Sequence, residues 1–233
     1  MRALFIAVLI LVQLVAFTQP SLRFSVKPTY AFTKVSSDLE DAMRHSGFDD
    51  YSYGLFSDDA TLNPMTKRLG AGLMGEVEWL TGQKVSYSFA GGLPDWGEVQ
   101  GYDHVGVGNY LFLKYYTWVV NPTVNYRYST HKAAIGPSVA AFNYRAKGGD
   151  PASQTAWTVG VSASNTFFPE KKRKVLTGFF LQLNIFPNIT THPIAISHQA
   201  GFANPNGPDN FTSTLQPEKV NISHIQLGVA IQF

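Results

Sequence analysis

The last ten residues constrain the fold more than any other stretch. Ile225, Leu227, Val229, Ile231 and Phe233 are apolar, and His224, Gln226, Gly228, Ala230 and Gln232 stand between them. Successive side chains of an extended strand point to opposite faces, so this alternation makes one strand with one uniformly apolar face. A helix would split the same residues between two opposite faces, 225, 229 and 233 on one and 227 and 231 on the other.

The same period recurs upstream. Leu69, Ala71, Leu73, Val77 and Trp79 alternate with Gly70, Gly72, Met74, Glu76 and Glu78. Val85, Tyr87, Phe89 and Leu93 share a face, as do Trp118, Val120, Val124, Tyr126 and Tyr128. Further stretches follow at Ile135, Val139 and Ala141, at Trp157, Val159 and Val161, and at Val175, Phe179, Leu181, Leu183 and Ile185. Residues 110–116 are apolar on both faces and lengthen their strand beyond the others. The connections alternate in length: 81–84, 129–132 and 169–174 are short, whereas 94–109, 147–154 and 187–219 are long and polar. A strand meander with short turns at one end and long loops at the other predicts an up-and-down antiparallel barrel whose ends meet different surroundings.

Two barrels share one apolar face, and the other face separates them. A soluble barrel turns its apolar face inward and its charges outward; a membrane barrel does the reverse. Here the second face is Gly, Ser, Thr, Asn, Gln and Ala, and only 15% of all residues are charged. A water-facing exterior carries many Lys and Glu, and the lumen of a narrow barrel requires small side chains. The pattern therefore favours a transmembrane barrel over a secreted soluble ligand-binding barrel. With no cysteine, disulfide scaffolds and thiolate zinc sites are excluded. A net charge of +2 gives no basic excess for nucleic acid.

Met1-Arg2, the apolar run 3–17 and the polar exit 18–21 have the form of a secretory signal peptide, with cleavage expected after residue 18. The run is shorter than a membrane-spanning helix needs. The expected organisation is a signal peptide at 1–18, an N-terminal segment at 19–50 and the barrel at 51–233.

The terminal strand, apolar at 225, 227, 229 and 231 with Phe233 at its end, resembles that of small, eight-stranded bacterial outer-membrane β-barrel proteins. The resemblance covers roughly residues 69–233. It implies that Ile225, Leu227, Val229, Ile231 and Phe233 form the signal read by the barrel-assembly machinery, and that the chain lies in the bacterial outer membrane. A segment such as Gly136-Pro137-Ser138 inside a strand is similar to the same group, and Pro137 predicts a bulge there. Bacterial barrels of this kind have even strand numbers, so an eighth strand must precede residue 69. The candidates are 24–32 and 50–56, and 50–56 is preferred. Residues 37–45 read as a short helix capped by Ser37 with Glu40 three positions on, lying at the periplasmic mouth or plugging it.

Candidate chemistry is sparse. Glu76, Glu78, Arg127 and His224 fall on the small, polar face and are expected to form a lumen charge cluster, because a lone charge there would be costly. The six histidines show no metal-binding spacing, and neighbouring Ser-His pairs on a strand point apart. No cofactor or metal is implied. The expected function is a structural or binding role through long extracellular loops. Alternatives are a narrow pore or small-hydrophobe transporter and a lipid-modifying enzyme. Expected partners are outer-membrane lipid, the assembly machinery and an extracellular ligand, with the chain a monomer. On the final strand, Val229→Arg is expected to be damaging and Gly228→Ser mild.

Overall fold

The computed structural model describes residues 22–49, 51–53, 60–62, 66–68, 70–81, 84–103, 110–146, 149–150, 153–169, 175–199 and 210–233. The signal-peptide reading lies outside them. Eight strands form the wall: β1 (Leu22–Thr33), β2 (Ala71–Leu80), β3 (Val85–Asp103), β4 (Tyr110–Tyr128), β5 (His131–Ala146), β6 (Ser153–Phe167), β7 (Leu176–Ile185) and β8 (His224–Gln232). Each pairs antiparallel with its sequence neighbours, and β1 pairs with both β2 and β8, so the sheet closes on itself. Closure leaves no unpaired strand edge along the ring, which hydrocarbon could not satisfy.

β1 corrects the sequence reading. The eighth strand is Leu22–Thr33, not 50–56, and the barrel does not begin at residue 51. Lys27 and Pro28 obscure its alternation, yet Val26, Tyr30 and Phe32 are exposed outside while Ser25, Lys27, Thr29 and Ala31 are buried inside. Within 50–56, Tyr51–Tyr53 instead pairs with Ala60–Leu62 in a separate small hairpin.

Proline is accommodated without a bulge at Pro137. Val120 faces Val139 and Val124 faces Ile135, the same register on both sides of the interruption. The β4–β5 ladder pauses where Pro122 and Pro137 oppose each other, and neither has an N–H to donate. Gly136 keeps the strands close, since a Cβ there would lie 2.0 Å from the Pro122 carbonyl oxygen. The register shift occurs elsewhere, on β3 between Gly92 and Asp95.

Strand lengths divide the barrel in two. β4 has 19 residues, about 63 Å of extended chain, or about 48 Å along the axis at a tilt near 40°. The hydrocarbon band needs only about 25 Å. β3 to β6 therefore rise beyond it at the long-loop end. There the interior is apolar: Val99, Leu111, Leu113, Tyr115, Phe142 and Tyr144 are buried in one cluster with a helix.

That helix, α1 (Val35–His45), buries Val35, Leu39, Ala42 and Met43, a stripe at helical spacing. Its start lies two residues before the expected cap. Thr33 Oγ1 accepts the Val35 N–H at 3.1 Å, and Ser37 Oγ instead donates to the Lys34 carbonyl. The sequence reading has α1 lying at the short-turn mouth or plugging it; α1 lies at the opposite end, because β1 starts beside the short turns and delivers the chain to the far rim. Asp38, His45 and Ser46 tie it to the segment leading into β8, through Asn221, Glu218 and Gln216. The connection 187–219, read as a loop, contains a hairpin of Ile194–Gln199 and Asn210–Leu215.

Candidate functional site

Two carboxylates and three cations from four strands meet inside the short-turn half of the barrel. Glu76 and Glu78 are two residues apart on β2, so the strand period turns both inward. Lys27 Nζ approaches Glu76 Oε2 at 2.5 Å, and Lys132 Nζ donates to Glu76 Oε1 at 2.6 Å. Arg127 donates to Glu78 through Nη2 at 2.5 Å and Nε at 3.2 Å, a forked contact suited to a carboxylate. Lys132 also lies 3.6 Å from Glu78, joining the two halves.

Burial makes this a plug. The side chains of Lys27, Glu76, Lys132 and Glu78 are 5%, 2%, 2% and 0% exposed. Polar neighbours bond to Glu78 as well. Ser86 Oγ donates to Glu78, and Gln232 Nε2 donates to Glu78 Oε2 and to Ser25 Oγ. Asn125, Ser88 and Thr123 extend the network upward. Lys27 also sits 5.3 Å from the Phe180 ring centre, a cation–π contact. An eight-stranded wall leaves room for little beyond such side chains.

Of the four residues assigned to a lumen cluster, Glu76, Glu78 and Arg127 come together and His224 does not. His224 sits at the other end of β8, where Nδ1 meets the Ile222 carbonyl at 2.9 Å. Its Nε2 lies 3.0 Å from Asn184 Nδ2 and 2.8 Å from Gln226 Nε2. A carbonyl on one ring nitrogen and two amide donors on the other fit the neutral ring protonated at Nδ1. Lys27 and Lys132 complete the charge network and were missed from sequence. Lys132 falls on the face shared by Ala134, Gly136 and Ser138, which is the signal that marks it; Lys27 is hidden beside Pro28.

The terminal strand turns Ile225, Leu227 and Phe233 to the exterior, with Val229 and Ile231 on the same face but partly covered. Phe233 is bound at the seam: its N–H donates to the Phe24 carbonyl at 2.8 Å, and its carbonyl accepts from Phe24 at 3.3 Å.

The rest of the exterior matches. Val159, Val161, Phe179, Leu181, Leu183, Ile135 and Val124 are exposed in one continuous band, and Trp157 is 72% exposed. Aromatic residues rim the band: Trp79, Tyr87, Tyr126 and Tyr128 toward the short turns, and Trp96, Tyr116, Trp118 and Trp157 toward the long loops. Tyr128 and Trp118 are ten residues apart on β4, about 25 Å along the axis after tilt, the height of a lipid-facing band. A band this large is far beyond the apolar patch a water-soluble monomer exposes. The chain is a transmembrane β-barrel.

No protein-family model and no curated protein matches the sequence. Among solved structures, the fold is similar to the outer membrane protein OprG from Pseudomonas aeruginosa, at 10% sequence identity and a TM-score of 0.43, over 91% of this chain and 96% of that chain. It is also similar to outer membrane protein AlkL, solved in DMPC lipid bilayers, at 8% identity and a TM-score of 0.39, over 91% of this chain and 89% of that one. The transmembrane assignment itself rests on the closed ring and its two faces.

Proposed function

We propose that this protein is an integral barrel of the bacterial outer membrane, closed to water, that acts as a binding or structural element through its long-loop end. The observation that carries this reading is Glu76 bridging Lys27 and Lys132 in the lumen, with all three side chains buried. A water-filled pore would leave such charges hydrated. The lipid-facing band supports a membrane site, and the terminal strand supports delivery by the barrel-assembly machinery. The reading is non-enzymatic, and its ligand would be met outside the cell by the α1 region and the hairpin of the last long connection.

Single-channel recording in planar bilayers tests it. The expected result is no sustained ion conductance from the folded protein, and a steady open channel would overturn it. Membrane fractionation with boiled and unboiled electrophoresis tests the location. The expected result is outer-membrane recovery with a mobility change on boiling.

One observation favours a second reading, a binder or conduit for small apolar molecules: the long-loop half of the interior is apolar and is filled by α1. Uptake of a hydrocarbon into proteoliposomes, absent from protein-free vesicles, would support it.

A further inference from the structure

The exterior just beyond the long-loop aromatic row carries an ordered polar row. Register places Glu98 opposite Lys114, Lys114 opposite Arg145, and Arg145 opposite Ser153, on four consecutive strands. One step nearer the membrane, the same strands carry Trp96 opposite Tyr116, Tyr116 opposite Asn143, and Asn143 opposite Thr155. Trp118 and Trp157 lie one step deeper again, both opposite Ala141.

Lys114 and Arg145 are both exposed and point to the same side of the sheet. Like charges directly opposed across two strands repel and destabilise the pairing. The carboxylate that approaches is Glu98, 3.6 Å from Lys114, whose own side chain is 71% exposed. Arg145 makes no ion pair among the described residues. The register also sets Lys67 opposite Glu98 on its other side, so three cations share one carboxylate and leave the row net positive, at a depth set by the tryptophans beneath it. Trp and Tyr rows lie at the level of lipid headgroups, so the next row meets the phosphate layer.

We propose that Lys114 and Arg145 form a clamp for the phosphate of an anionic lipid in the leaflet at the long-loop end. Arg145 offers the phosphate a planar fork of donors and Lys114 a compact charge. Trp118, Trp157 and Tyr116 lie against the lipid's glycerol region and upper acyl chains. Asn143 and Thr155, joined by a hydrogen bond of 2.6 Å, supply the polar floor between them. The inference rests on the membrane reading above.

Tryptophan quenching tests it in a Trp79→Phe background. That leaves Trp96, Trp118 and Trp157, all beside the clamp, as reporters among the four tryptophans. The protein is reconstituted in vesicles of phosphatidylcholine mixed with either brominated phosphatidylglycerol or brominated phosphatidylcholine. The expected result is preferential quenching by the anionic phosphatidylglycerol, with a relative association constant raised about five-fold per cation, or ~1 kcal/mol each. In a Lys67→Gln background, which removes the further cation opposite Glu98, Arg145→Gln should lose about half of that preference on a logarithmic scale, and Lys114→Gln with Arg145→Gln all of it. Glu98→Gln should strengthen it. Each variant is first shown to fold by its mobility change on boiling. Equal quenching by the two lipids in the parent protein, or a preference that survives the double substitution, overturns the clamp. If neither brominated lipid quenches, the membrane reading fails with it. Replacing buffer chloride with inorganic phosphate at equal ionic strength should leave the preference intact; its loss would assign the site to free phosphate and overturn the lipid proposal.

Discussion

Lys132 on β5 donates to Glu76 on β2 at 2.6 Å, spanning the lumen between strands that are not neighbours in the wall. The bond ties opposite sides of the barrel where both side chains are almost wholly buried. Glu76→Gln should cost about 3–5 kcal/mol, because buried Lys27 would lose its paired carboxylate and Lys132 the nearer of its two. Denaturant unfolding in detergent, read as the loss of folded mobility, measures this. An unshifted midpoint would mean that water reaches the plug.

The final strand offers a contrast between its faces. Val229→Arg puts a guanidinium into hydrocarbon and should cost about 2–4 kcal/mol near the midplane. Gly228→Ser, expected from sequence to be mild, should also be damaging. A Cβ at Gly228 would lie 2.2 Å from the Pro28 carbonyl oxygen and 2.7 Å from the Phe180 ring. Stability of both variants in vesicles, with a lipid-depth quencher read at Val229, separates hydrocarbon exposure from crowding.

Removal of Phe233 should lower the yield of inserted protein. Its side chain is exposed at the seam, and its backbone bonds to Phe24 on β1. Phe233→Ala keeps the backbone bonds and removes the ring. A loss confined to assembly in cells, with unassisted refolding into detergent intact, would assign the ring to recognition; equal losses would assign it to anchoring.

The contact between α1 and the segment entering β8 should depend on pH through two groups of opposite sign. Burial raises the Asp38 carboxyl above its ordinary value, outweighing the N–H it accepts from Asn221. Its contribution is present below the ordinary carboxylate range and is lost as pH rises through the raised value. Glu218 is lowered, chiefly by the Lys219 N–H and then by His45. Its contribution is present above the ordinary range and is lost as pH falls through the lowered value. Asp38→Asn, which keeps an acceptor for Asn221, should abolish the loss of α1 protection on the rising-pH side. Hydrogen-exchange protection factors for residues 35–45, corrected for intrinsic rates, measure it. An unchanged pH profile would mean that Asp38 is solvated when α1 is docked.

Period-two alternation determined seven of the eight wall strands by itself. In an extended chain the neighbour decides which face a side chain takes, so Ile225 to Phe233 or Trp157 to Val161 declare their faces without knowledge of any partner. The small, uncharged opposite face decided which side met lipid for the same reason. The inward direction of Glu76, Glu78 and Arg127 was legible because all three sit within clean alternation.

The tertiary structure alone decided what those residues touch. Lys27 reaches Glu76 from a strand whose Pro28 and buried charge hide its pattern, and that strand is recognisable only by pairing with both β2 and β8. His224 shares the inward face of β8 but not the depth of the charges, since face is local whereas height depends on register and shear. The end at which α1 packs, the crowding a side chain would meet at Gly228 and the row joining Glu98, Lys114, Arg145 and Ser153 likewise follow from register between strands. One residue of slip would move every such neighbour to the other face. A single strand's sequence fixes its own two faces, while contacts across strands are set by closure of the whole ring.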